Sequence, residues 1–271
     1  MSLRSTARAL PTMMRVGFSE AVAYRAETIV WIAATTMPLV MLALWHAVAS
    51  DAPIEVNGGR YDAPRVTAYF LAMFVVRQLT GSWAVWLMNM EIRDGTLAQR
   101  MLRPVHPLVA YAISALAELP VRGLLAVPIA SVALVVFAGD QLATAPALWG
   151  IWLASLLGGW LITLFANLAI GCLALFIESS TKIMDVWLAL YFVFSGYLFP
   201  VDLFPPALRR ATDWLPFRYQ LGLPVEIMTN VYDVPTALAM LARQWAMVAV
   251  MLGVVAIVWR SGVKRFAAYG G

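Results

Sequence analysis

Residues 147–177 read ALWGIWLASLLGGWLITLFANLAIGCLALFI, a run of 31 residues without one charged side chain. At 1.5 Å per residue a helix of that length covers about 46 Å, more than the ~30 Å hydrocarbon core of a bilayer. Five further runs approach spanning length, at about 28–49, 66–90, 108–138, 183–200 and 237–259. Lipid offers backbone groups no water, and a helix satisfies its own. The expected fold class is therefore all-α, a polytopic membrane protein with six transmembrane helices. The fifth run is short, whereas the third and fourth are long enough to tilt or project beyond the bilayer.

The composition agrees. Of 271 residues, 62% are hydrophobic and 13% charged, with a mean hydropathy of +0.78; soluble domains hold about 45–50% and about 25%. A soluble globule cannot bury that much apolar surface, and disorder, collagen and a soluble enzyme are excluded. The net charge of +4 is small and the basic residues form no patch for nucleic acid. The single Cys172 lies in an apolar run, which excludes an intramolecular disulfide framework and a cysteine metal cluster.

Residues 1–27 mix arginines with apolar residues. If a helix starts near Pro11, Met14, Phe18 and Val22 recur every four residues while Arg8, Arg15 and Arg25 lie off that stripe. An amphipathic interfacial helix fits this, and an unstructured cytoplasmic tail is the alternative. Ala47-Val48-Ala49 imitates a signal-peptidase site, but the apolar run before it is too long for a signal peptide, so an uncleaved anchor is the better reading.

Lys and Arg outside the spans set the orientation. Eleven fall in the leader, the 91–107 loop, residues 178–182 and the tail, against five in the intervening segments. Both termini are thus expected to be cytoplasmic. No internal repeat stands out, and no G-x-x-x-x-G-K-[ST] phosphate loop or H-E-x-x-H metal motif occurs. The chain is expected to be no enzyme, with no catalytic, cofactor-binding or metal-ligating residue of its own.

The loop 91–107 reads EIRDGTLAQRMLRPVHP. Asp94-Gly95 signals a turn, Thr96 and Gln99 fit a capping box, and Pro104 stops the helix within two turns. A short helix lying along the membrane would expose Leu97, Met101 and Leu102 among Arg93, Arg100 and Arg103. It reads either as a docking site for a cytosolic partner or as a connector whose arginines merely enforce topology.

The stretch Glu91 to Leu108, EIRDGTLAQRMLRPVHPL, resembles the loop of bacterial type-2 ATP-binding-cassette exporter permeases, in the branch often found as paired permeases. The order of leader, six spans, loop after the second span and long segment before the sixth is similar too. That resemblance implies that Glu91 to Arg103 is the coupling helix seated in an ATPase cleft. It implies that the leader is an interfacial elbow helix near the same partner. ATP and Mg would then be bound by two copies of a separate ATPase, with a second permease chain, identical or homologous, completing the pathway in the bacterial inner membrane.

The external segment 201–236 is too polar to span and too apolar for a free loop. Pro205-Pro206 can open a helix that Leu215-Pro216-Phe217 breaks, and a second segment runs towards Met228. Two short helices dipping into the outer leaflet fit this, and a surface loop with aromatic anchors is the alternative. In the exporter family such re-entrant helices help close the exit, which implies gate roles for Phe199, Pro200, Trp214, Leu215, Pro216 and Phe217.

Within the spans, Arg77 and Gln78 lie mid-membrane, and Glu118 and Arg122 stand four apart on one helical face. They read as a buried pair fixing helix packing, with Arg77 in reach, or as a polar belt on a substrate path. Asn167 suits an interhelical hydrogen bond. Arg243 and Gln244 lie near the outer end of the sixth run, where snorkelling explains them. The residues leave two other functions open: a secondary carrier titrating Glu118, and a non-transporting membrane assembly factor.

Overall fold

Proline opens most of the helices. Pro38, Pro64, Pro107, Pro146, Pro206, Pro224 and Pro235 each sit in a first turn, where the missing N–H costs nothing. The computed structural model describes residues 3–23, 36–56 and 59–266. Its helices are α1 (Leu3–Ala23), α2 (Met37–Asp51), α3 (Ala63–Thr80), α4 (Ala84–Arg93), α5 (Leu97–Met101) and α6 (Pro107–Ala138). After them come α7 (Pro146–Cys172), α8 (Thr181–Phe194), α9 (Pro206–Thr212), α10 (Leu223–Met228) and α11 (Val234–Val263). Among the described residues the fold is all-α apart from one antiparallel hairpin, β1 (Ile54–Val56) and β2 (Gly59–Tyr61), with Ile54 opposite Tyr61.

Three stretches are long and apolar enough to cross a membrane: Ala63–Arg93, Pro146–Leu175 and Val234–Val263. Met37–Asp51, Pro107–Pro120 and Ala126–Gln141 are shorter apolar helices. The last two lie along α6, which runs through Pro120 and Pro128 and is continued by a 3-10 turn, Gly139–Gln141. Residues 24–35, and with them the first eight residues of the expected first span, lie outside the described residues.

The second run, 66–90, falls within the spanning stretch Ala63–Arg93, with a local interruption at Gly81, whose ψ of 146° is extended, before the helix resumes as α4 at Ala84. Two expectations are corrected here. The helix of the fifth run stops at Phe194 rather than continuing to residue 200, because Gly196 turns the chain with φ +86°. A side chain there would also strike the Tyr69 hydroxyl, which donates to the Gly196 carbonyl at 3.0 Å. Finally, α1 does not begin near Pro11 but passes through it from Leu3. It lies on α6, with Gly17 close to Ala117, and Phe18 faces away, exposed.

Two central helices organise the bundle. α3 is packed by α2, α6 and α7, and residues Ala68 to Val76 are all buried. α7 carries α11 along one side and α4 and α10 on others. Residues 91–106, 173–180 and 259–266 share one end of the bundle, where His106 meets Trp259 at 5.5 Å and Leu175 abuts Gly262. The opposite end holds the hairpin, 139–145 and the segment before α11, with Ala143 N donating to Met228 O at 3.0 Å.

Between α9 and α11 the chain re-enters the bundle. Phe217 to Thr229 is buried throughout and includes a π-helical turn, Arg218–Gly222. The Gln220 carbonyl approaches so near Gly159 that a Cβ there would sit 2.7 Å away. Gly159 is thirteen residues into α7, hence about 20 Å from its start. Gly158 likewise gives way to Gln244.

Candidate functional site

The loop that ends α4 is held by one carboxylate. Glu91, in the last turn of α4, is buried, although it is an acid. Arg100 of α5 grips it with two donors, Nε at 2.7 Å and Nη2 on the other oxygen. Tyr111, on the second turn of α6, donates to it at 2.5 Å. The Arg100 guanidinium also lies 4.5 Å from the Tyr111 ring centroid. Charge-assisted bonds of this kind are about twice as strong as neutral ones, so three helices converge on a single anchored point.

Local chemistry explains the turn between them. Gly95 adopts φ +73°, a left-handed conformation that glycine enters without penalty. The capping box between Thr96 and Gln99 does not form. Thr96 is itself helical at φ −68°, ψ −17°, makes no side-chain cap, and turns its hydroxyl back to the Glu91 carbonyl at 3.3 Å. Gln99 is exposed.

The exposed set also differs from the expected one. Leu97 is not on the surface but fully buried, in a cluster with Met88, Ile92, Tyr111 and Leu168. Met101 is half-buried, and Arg100 is turned inward. What the loop presents is Leu102, 87% exposed, flanked by Arg93, Asp94, Thr96, Gln99, Arg103 and Pro104. α6 starts immediately after, capped by His106, whose Nδ1 accepts from Leu108 N at 3.2 Å. Burial holds the His106 imidazole below its ordinary 6.5, which suits the neutral form that can accept.

Of the mid-bundle polar residues, Arg77 and Asn167 line one recess. Arg77 lies over the Tyr191 ring at 5.6 Å and shares a recess with Trp83, Trp86, Trp187 and Gln220. Gln78 is buried. Asn167 accepts from Val85 N at 3.4 Å and donates to Thr163 O at 2.9 Å, so it serves one of the bare N–H groups where α4 restarts. Glu118 is half-buried, and the side chain of Arg122 lies outside what is described, so their pairing does too.

At the opposite end, Phe199, Phe204, Phe194, Phe217 and Trp187 form a chain of ring contacts at 4.9, 6.3, 6.3 and 4.7 Å. Pro200 is buried beside it, Leu215 and Pro216 are half-buried, and Trp214 points away, 84% exposed. Beneath this lies an ionic cluster that the sequence reading missed. Arg218, one of the five basic residues in the intervening segments, is buried against Glu226 at 3.2 Å, Asp213 and the Tyr232 hydroxyl at 2.6 Å. Glu226 was overlooked because it belongs to a segment read as external; an acid inside the apolar run Leu221–Met228 was the available signal. Gln244 is corrected as well. It does not snorkel but is fully buried, donating to Ser155 O at 2.9 Å and Tyr219 O at 2.8 Å.

The family model described as ABC-2 family transporter protein matches residues 29–270. No curated protein matches the chain.

Proposed function

This chain belongs to the ABC-2 transporter family, and on that premise we propose that it is the membrane permease subunit of an ATP-driven exporter. Family membership implies a membrane-embedded protein working with an ATP-binding-cassette ATPase. On our reading, six spans cross the bacterial inner membrane with both termini cytoplasmic, and two permease chains form the pathway. Two ATPase subunits, which bind the ATP and Mg and carry out hydrolysis, dock beneath. The cargo is a hydrophobic or amphipathic molecule leaving the cytoplasm or inner leaflet.

The observation that best supports docking at residues 91–107 is the Glu91 anchor. A loop that transmits force must resist deformation, and here Arg100 and Tyr111 fix the short helix α5 to both α4 and α6. Its free face ends in Leu102, an apolar residue left uncovered among the described residues. ATP-driven closure of the ATPases would push on this loop and move α4 and α6 together. The aromatic chain from Phe199 to Phe217, beside the re-entrant segment, would be the part that yields at the outer exit.

Affinity purification from native membranes in mild detergent, followed by mass spectrometry, tests the reading. A co-purifying protein with a P-loop supports it. Recovery without any ATPase, under conditions that keep other transporter complexes intact, overturns it.

A further inference from the structure

A cleft of about 500 Å3 opens at the end of the bundle that carries the docking loop. Arg93, the last residue of α4, lines one side, and Arg265, just past α11, lines another. Between them come Phe176, Ile177 and Glu178 from the segment that follows α7. Both arginines are exposed, and Arg265 stands 5.6 Å over the Phe176 ring. Phe176 and Ile177 are apolar yet exposed. The cleft therefore combines two guanidinium forks, one opposing carboxylate and an uncovered apolar wall.

α11 adds an exposed apolar stripe that reaches the cleft at Arg265. Val250, Val254 and Ile257 are exposed at helical spacing, and the same stripe leads through exposed Ser261 to Arg265. An apolar track thus ends in a cation at the helix terminus. Guanidinium groups match phosphate geometry, and basic pockets between helices on the cytoplasmic side suit anionic headgroups.

We propose that this cleft binds the headgroup of an anionic phospholipid between Arg93 and Arg265, with an acyl chain along the exposed α11 stripe. The proposal rests on the membrane orientation given above. Because Arg93 lies two residues before Gly95, the bound lipid ties α11 to the turn that carries the docking helix. The permease thereby senses the charge of the leaflet it sits in at the point where its ATPase docks.

The test uses the full-length chain in mild detergent, titrated with phosphatidylglycerol or phosphatidylcholine and read by native mass spectrometry. Phosphatidylglycerol is expected to bind selectively. R93Q and R265Q should each weaken it by about fivefold, the worth of one basic residue near an anionic surface. E178Q should tighten it, a gain that misfolding cannot produce. Equal binding of both lipids, or no response to any of the three substitutions, overturns the proposal. Displacement by millimolar inorganic phosphate overturns it too, since the site would then belong to a free anion. If R265Q instead abolishes ATPase co-purification while phosphatidylglycerol affinity is unchanged, the cleft is a protein contact and the lipid assignment falls. Selective lipid binding by a chain that recruits no ATPase leaves this proposal standing and removes the exporter reading instead.

Discussion

Tyr111 donates a 2.5 Å hydrogen bond to Glu91 across twenty residues of chain, and so joins the first turns of α6 to the last turn of α4. Between the two residues lies the loop proposed above to dock the ATPase. Arg100 closes the arrangement by binding the same carboxylate and covering the phenol ring. The loop is thus pinned at its two ends and in its middle.

Removing that pin should uncouple docking from insertion. A hydrogen bond to a charged group contributes about 1.5–3 kcal/mol, and Y111F deletes one while E91A deletes all of them and strands Arg100. We expect E91A to insert normally and to lose at least about tenfold in recovered ATPase, which is roughly 1.4 kcal/mol of coupling, with Y111F intermediate. Pull-down yields against membrane-fraction yields measure this, and equal recovery for E91A would refute the anchor.

Two leucines five residues apart should behave oppositely. Leu102 is uncovered, so L102D should reduce ATPase association without lowering the thermal stability of the purified chain. Leu97 is fully buried, and a carboxylate there costs several kcal/mol. L97D should therefore fail to accumulate in the membrane at all. Stable, partner-binding L97D protein would contradict the packing described for α5.

Protonation of His106 should loosen the start of α6. Burial keeps its folded-state pKa below 6.5, so the unfolded chain binds the proton more readily and stability falls as pH drops from about 6.5 through the folded-state value. The lost cap is worth about 1 kcal/mol. H106N should keep a cap and flatten the dependence. Thermal melts at pH 7.5 and 5.5 give the comparison, and an unchanged pH slope in H106N would assign the effect elsewhere.

The pair Arg218–Glu226 should matter more than any surface charge. Both side chains are only 3% exposed, and deleting one partner of such a pair costs about 3–5 kcal/mol. R218M should lower the melting temperature of the purified protein far more than R210M, whose side chain is on the surface. A paired substitution, R218M with E226L, should recover part of the loss, because it removes the stranded carboxylate.

How much of this was legible in the chain varies from place to place. The spacing of apolar runs was enough for the membrane class and the helical fold, and Pro and Gly marked many helix ends, as at Pro107, Pro146 and Pro206. Asp94-Gly95 marked the turn before α5. The burial of Leu97 was hidden because a five-residue helix has too few turns to define an apolar face, so neighbours from α4, α6 and α7 decided which side was inside. The capping box failed for a related reason: the anchored carboxylate of Glu91 sets the turn, and the Thr96 hydroxyl bonds back to the Glu91 carbonyl.

The sequence by itself determined that this protein lives in lipid, since no soluble arrangement buries so large an apolar fraction, and it marked a turn and a short helix after the second run. Only the tertiary structure decided that the second run breaks at Gly81, that α8 ends early, and that the segment around Gln220 re-enters the bundle. The last two depend on Gly159, Gly196 and Gln244 meeting partners dozens of residues away. Local pattern records which residues avoid water. It does not record which distant backbone will arrive to take a hydrogen bond, or which acid, such as Glu226, will find its arginine inside.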